Sequence, residues 1–137
     1  MSESLYKAVL MDHYRHPRNR GELEDADVVR RGSNPRCGDD IEVGVRFDGD
    51  RLARVGFRGR GCAICLASAS MMTEAVTGRT RTDARELCDQ LSGSMAASDG
   101  ESAGLPETLR PLASVRAHAA RRRCVLLAWQ ALEDALG

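Results

Sequence analysis

The stretch between residues 41 and 57 limits the fold of this chain more than any other. Ile41, Val43, Val45 and Phe47 alternate with polar or small residues, and Asp48-Gly49-Asp50 breaks the run. Ala53, Val55 and Phe57 then alternate with Arg54, Gly56 and Arg58. A period of two on both sides of a turn signature predicts a β-hairpin with one buried face. Cys37 lies just before the first strand and Cys62 just after the second. Antiparallel pairing joins the two ends of a hairpin, so the spacing alone predicts that these two cysteines are neighbours.

The flanking sequence reads mainly as helix. Leu5 and Val9, with Tyr6, Leu10 and Tyr14, fall at helical spacings over residues 4–14, with Ser2 or Ser4 as the cap and Pro17 as the stop. Asn19-Arg20-Gly21 reads as a turn, and residues 27–32 read as a short edge strand. Beyond Cys62 the period becomes helical to about residue 76, where Thr77-Gly78 supplies a stop. Another helix is expected from Asp83, with Glu86 completing a capping box, to about Leu91. Residues 92–104 are rich in Ser, Gly and Ala and read as a mobile loop, and Pro106 suits the first turn of a further helix. The last helix, over residues 119–136, carries Cys124, Leu127, Ala128, Ala131 and Ala135 on its apolar face. Strands first and helices later predict an α+β fold: a small antiparallel sheet of about three strands, covered on one face by helices. An N-terminal helix and a long C-terminal helix belong to it, and the length of 137 residues fits a single domain over 1–137.

Composition removes several classes of function. A formal net charge of zero gives no global field toward nucleic acid or acidic lipid, and an aromatic content of 4% argues against base stacking. Met1-Ser2-Glu3-Ser4 begins no secretory signal, and no apolar run approaches the length of a membrane span, so a cytoplasmic protein is expected. Five cysteines, an odd number, argue against a disulfide framework there and leave metal ligand, reactive thiol or core residue as readings.

Three of the cysteines sit where the chain changes structure: Asn34-Pro35-Arg36-Cys37-Gly38-Asp39, Gly59-Arg60-Gly61-Cys62, and Arg121-Arg122-Arg123-Cys124. Three thiols and the Asp39 carboxylate are enough to close a tetrahedral metal site. The turn around Cys37 would expose its thiol and Asp39; the competing reading is an ordinary turn with a solvent-facing Asp. Cys62 begins a helix, where the partial positive charge favours thiolate. Cys124 shares a helix face with Leu127, Ala128 and Ala131 and on its own reads as core, while the neighbouring arginines draw it toward exposure. Cys65 makes a Cys-x-x-Cys pair with Cys62, half of a zinc site or a redox motif, but reads better as a small buried or half-buried residue; Cys88 reads as core. His13, His16 and His118 have no metal-ligand spacing with the cysteines. Gly59-Arg60-Gly61 is too short for a phosphate loop and lacks its Lys-Ser/Thr ending.

Taken in order, Tyr14 to Gly21 (Tyr-Arg-His-Pro-Arg-Asn-Arg-Gly), Asn34 to Asp39, Gly61-Cys62-Ala63-Ile64, and Arg121 to Cys124 with Ala128-Trp129 resemble the IscU/NifU-N family of iron–sulfur assembly proteins, and within it the SufU branch. IscU-type scaffolds usually carry histidine immediately before the third cysteine; here that position is Arg123, as in the SufU branch. SufU-type proteins also carry an insertion between the second and third cysteines, which residues 92–104 and the adjoining helix resemble. Cys65 departs from the family, where serine is more common. The resemblance implies a zinc site of Cys37, Asp39, Cys62 and Cys124, with iron or an iron–sulfur cluster as the alternative. It implies that Cys37 accepts persulfide sulfur from a SufS-type cysteine desulfurase, once a desulfurase histidine has replaced it on zinc. Downstream iron–sulfur assembly proteins would receive that sulfur, and Arg121 and Arg123 would steer the partner or support the thiolate. The other functions open to such a chain are an IscU-like scaffold and a zinc-stapled interaction domain.

Overall fold

The computed structural model describes residues 3–21, 23–36, 38–96 and 105–137. Helix α1 (Glu3–Arg15) leads into strands β1 (Val28–Asn34), β2 (Asp39–Asp48) and β3 (Arg51–Arg60). Helices α2 (Ala63–Val76) and α3 (Arg81–Ala96) follow, then a 3-10 turn at Glu107–Leu109, the short α4 (Arg110–Ala113) and α5 (Ala119–Leu136). The strands form one antiparallel sheet in the order β1-β2-β3, and α2 and α5 pack on it and on each other. This is the α+β arrangement the sequence predicts.

The β2–β3 hairpin turns through Gly49-Asp50, with Gly49 at φ 61°. A positive φ at the first central position suits a tight hairpin loop and costs glycine little. The register then slips: Phe47 pairs with Leu52 but Arg46 pairs with Arg54, so Ala53 is the extra residue of a bulge. The bulge inverts the alternation at this end of β3. Leu52 is fully buried and Ala53 is exposed, contrary to the expectation that Ala53 lies on the buried face. Val55 and Phe57, beyond the bulge, face the core as predicted.

The second face of the sheet is not bare. Gly44 and Gly56 are cross-strand partners, and a Cβ on either would approach Leu23 Cδ2 to 3.1 and 3.2 Å respectively. Two glycines in register therefore make the recess that takes the buried Leu23. Backbone bonds hold this segment down: Phe57 N–H donates to the Asn19 carbonyl at 3.0 Å, and Gly21 N–H to the Phe57 carbonyl at 3.0 Å.

Two helices differ from their sequence reading. In α1, Leu5 and Tyr14 remain exposed, while Leu10 and His13 are buried, so the core stripe is rotated from the one expected. Ser4 lies inside the helix, and Ser2 lies outside the described residues. In α3 the start is earlier than Asp83, because the Thr80 hydroxyl accepts the Asp83 amide at 3.1 Å and takes the capping role. The helix also continues through Ala96, so residues 92–96 of the expected loop are helical; residues 97–104 lie outside the described residues.

A buried polar link ties α2 to α5. The Ser68 hydroxyl donates to the Val125 carbonyl at 2.7 Å and accepts Trp129 Nε1–H at 3.0 Å. Trp129 is itself almost fully buried, and burying an aromatic of this size with its N–H satisfied contributes about 2–3 kcal/mol. α5 meets β1 closely at Gly32, where a Cβ would lie 3.0 Å from the Leu127 carbonyl oxygen. These contacts fix where the start of α5 lies over the sheet.

Candidate metal centre

Three elements deliver one donor each to a common point. Asp39 is the first residue of β2, Cys62 caps α2 directly after β3, and Cys124 lies near the start of α5. Sulfur atoms of Cys62 and Cys124 and a carboxylate oxygen of Asp39 all lie within 4.8 Å of one another. The hairpin closes as the spacing predicts: Asp40 pairs with Arg60, which brings Asp39 against the residues leading into α2. Gly59 shapes this end of β3. Its φ is 128°, and a Cβ there would come within 2.1 Å of the Asp40 carbonyl oxygen. Cys37, the other bracket of the hairpin, lies outside the described residues.

Asp39 is not the solvent-facing carboxylate expected from its turn. It is 1% exposed, with Oδ1 accepting the Cys62 amide at 2.9 Å and Oδ2 accepting the Cys124 thiol at 3.3 Å. Those two bonds explain why it can be buried. Among the described residues no Lys, Arg or His side chain forms an ion pair with it. A buried carboxylate beside two thiols, without a cationic side chain, is a donor set suited to a metal cation.

Cys62 takes the extended N-cap conformation, φ −69° and ψ 168°, and its sulfur accepts the Cys65 amide at 3.4 Å. Cys124 is 1% exposed. Burial pushes its thiol well above the ordinary range, reinforced by the neighbouring Cys62 sulfur and the Asp39 carboxylate. Without metal the Cys124 proton therefore stays in place and points at Asp39; loading a metal would expel it. Mixed sulfur and oxygen donors at these mutual distances fit zinc and also fit iron.

The core and ligand readings of Cys124 turn out to be compatible. The apolar face of α5 packs on α2 and β2, and the donor cluster lies at that same packed face, so Cys124 is both buried and turned toward Asp39. Cys65 and Cys88 are buried as predicted. Burial, with Glu133 and Asp89 nearby, pushes the Cys88 thiol up to about 12. Arg121 and Arg123 are exposed on the first turn of α5 and, among the described residues, make no hydrogen bond to the three donors. His13 binds Ser70 Oγ at 2.8 Å and His16 lies beside Asp12, so neither joins the cluster.

Sequence reading missed Gly61. A Cβ there would lie 2.9 Å from Asp39 Oδ1 and 3.0 Å from Cys65 Sγ, so only glycine leaves room for the carboxylate beside α2. The signal was present as a glycine directly before a capping cysteine, but its meaning depends on where Asp39 lies. A separate cleft of about 560 Å³, lined by Val9, His13, Met71, Glu74 and Leu109, lies toward the other end of α2 and holds no thiol. No described helix is long and apolar enough to cross a membrane.

Comparison with known proteins agrees with this geometry. The chain is 39% identical over 131 residues to the zinc-dependent sulfurtransferase SufU of Bacillus subtilis, covering 96% of this chain and 88% of that protein. It is 37% identical over 132 residues to the iron–sulfur cluster assembly scaffold protein IscU of Streptococcus pyogenes, covering 96% and 82%. A crystal structure from Fervidobacterium islandicum, assigned as an iron–sulfur cluster assembly scaffold protein for the SUF system, superposes with a TM-score of 0.85 at 32% identity, over 100% of both chains. Residues 5–137 match the NifU-like N-terminal domain, and the chain belongs to that family, the IscU- and SufU-type iron–sulfur assembly proteins.

Proposed function

We propose that this protein is a zinc-bound sulfur acceptor, taking persulfide sulfur from a SufS-type cysteine desulfurase and passing it to downstream iron–sulfur assembly proteins. The observation that carries the proposal is the buried Asp39 carboxyl held between Cys62 and Cys124 without a cationic side chain. Cys37 is proposed as the fourth ligand and as the acceptor. Zinc in this set of Cys37, Asp39, Cys62 and Cys124 would hold sulfur as thiolate without redox chemistry of its own.

The residues then divide the work. Asp39 contributes a single oxygen donor, a harder ligand than thiolate, which makes the set less uniform and easier to rearrange. The Ser68 link holds α5, and with it Cys124, in place while Cys37 changes partner. In the transfer, Cys37 Sγ attacks the outer sulfur of the desulfurase persulfide. A new S–S bond forms on Cys37, the S–S bond of the donor breaks, and the desulfurase cysteine leaves as thiolate. Arg121 and Arg123, exposed beside this site, suit the approach of an acidic partner surface.

A second reading, cluster assembly on the same cysteines, is favoured by the 37% identity to the Streptococcus pyogenes scaffold. Arg123, standing where IscU-type scaffolds usually carry histidine, counts against it. The two separate in one experiment. Tightly bound zinc and faster turnover of the cognate desulfurase support the acceptor. Stable cluster absorbance after anaerobic reconstitution, without tight zinc and without an effect on turnover, supports the scaffold.

A further inference from the structure

The pairing of Cys62 with Cys65 has no part in the proposed function, which uses Cys62 alone as a ligand, yet the two are placed like the cysteines of a thiol–disulfide exchange site. Cys62 is half-exposed at the head of α2, and Cys65 is fully buried one turn in. The extended N-cap conformation folds the Cys62 sulfur back over the first turn, where it accepts the Cys65 amide at 3.4 Å. Cys65 Sγ also lies on the donor side of the helix, because the point 3.0 Å from it above Gly61 is 2.9 Å from Asp39 Oδ1. An accessible sulfur at a helix start with a second sulfur in the same turn is the arrangement in which the first attacks and the second resolves.

We propose that Cys62 and Cys65 form a dithiol–disulfide couple that withdraws Cys62 from the metal centre when the protein meets a small-molecule disulfide. The steps balance. Cys62 Sγ attacks one sulfur of the disulfide, whose S–S bond breaks, and one thiolate leaves. Cys65 Sγ then attacks Cys62 Sγ, and the Cys65 proton passes to the departing sulfur. The Cys62–Cys65 bond forms and the second thiol departs. The two protein thiols are oxidised and the small disulfide is reduced to two thiols. Cys62 Sγ, now in a disulfide, no longer serves as a thiolate donor beside Asp39 and Cys124. The inference needs the donor cluster but not the sulfur-transfer reading.

The test uses the full chain, metal-free, equilibrated in glutathione and glutathione disulfide at graded ratios, quenched in acid, alkylated and peptide-mapped. The expected product is a reversible Cys62–Cys65 disulfide, with Cys65→Ser accumulating a Cys62–glutathione mixed disulfide instead. Cys65→Ala gives the same reading if the serine variant fails to fold. Wild-type protein that ends as the mixed disulfide with Cys65 alkylated overturns the proposal, as does pairing of Cys62 with Cys37 or Cys124. In a zinc-loaded sample read with a chromogenic chelator, wild type should release zinc at a lower glutathione disulfide fraction than Cys65→Ser. Coincident release curves overturn the link to the metal centre. Desulfurase turnover enters none of these readouts, so failure here is distinct from failure of the acceptor reading.

Discussion

Gly61→Ala puts a single methyl group into the floor of the donor cluster. That methyl would lie 2.9 Å from Asp39 Oδ1, 3.0 Å from Cys65 Sγ and 3.1 Å from Cys65 Cβ. Comfortable non-bonded separations are about 3.5 Å or more, so these atoms must retreat by roughly half an ångström. Both residues are buried, and Asp39 is tied to Cys62 and Cys124, so the strain has no free side chain to absorb it. The expected cost is about 1–3 kcal/mol of stability in the metal-free protein, read by urea unfolding. Displacing the carboxylate should also weaken zinc binding by about tenfold or more, read by competition with a chelator. Unchanged stability together with unchanged affinity refutes the packing argument. Lost stability with unchanged affinity places the strain on Cys65 alone and refutes the claim that Asp39 is held against Gly61.

Three further outcomes are expected. Gly93→Ala, in an exposed part of α3 where a Cβ meets nothing within 4 Å, should raise stability by about 0.5–1 kcal/mol in the same urea assay, and a loss there contradicts the helix assignment beyond Leu91. Burial, with help from Arg18, lowers the His13 pKa below its ordinary 6.5, so the unfolded chain binds the proton first as pH falls. Stability should therefore be intact above pH 6.5 and decline as pH drops through the folded value, with a flatter decline in His13→Gln; identical pH slopes for the two proteins contradict this. Cys88→Ser should keep its full metal content, because Cys88 Sγ faces the Trp129 carbonyl at 3.9 Å and not the donor cluster, and metal loss from a folded variant contradicts the assignment.

The hairpin and the closure of its ends were legible because alternation over both strands admits one pairing direction. The bulge was not, because Leu52 and Ala53 are both apolar and hydrophobicity alone does not fix which one turns inward. The recess for Leu23 was also hidden: Gly44 and Gly56 become a pair only once the register is known. At the site, hairpin logic predicted that Cys37 and Cys62 are neighbours, and Cys37 lies outside the described residues; the burial of Asp39 depends on Cys124, which arrives from 85 residues away in sequence. Helical periodicity marked Cys124 as core and could not show that the core face of α5 is also the face turned to the site. Cys65 was read as buried, which it is, but its bearing on Cys62 depends on the N-cap geometry.

The most direct test of sulfur acceptance is the mass of the Cys37 peptide after zinc-loaded protein has been mixed with its cognate desulfurase and L-cysteine. The acceptor account predicts one additional sulfur atom on Cys37, absent when L-cysteine is withheld and absent in Cys37→Ala. An unmodified Cys37 alongside an active desulfurase, or sulfur carried on another cysteine, contradicts it.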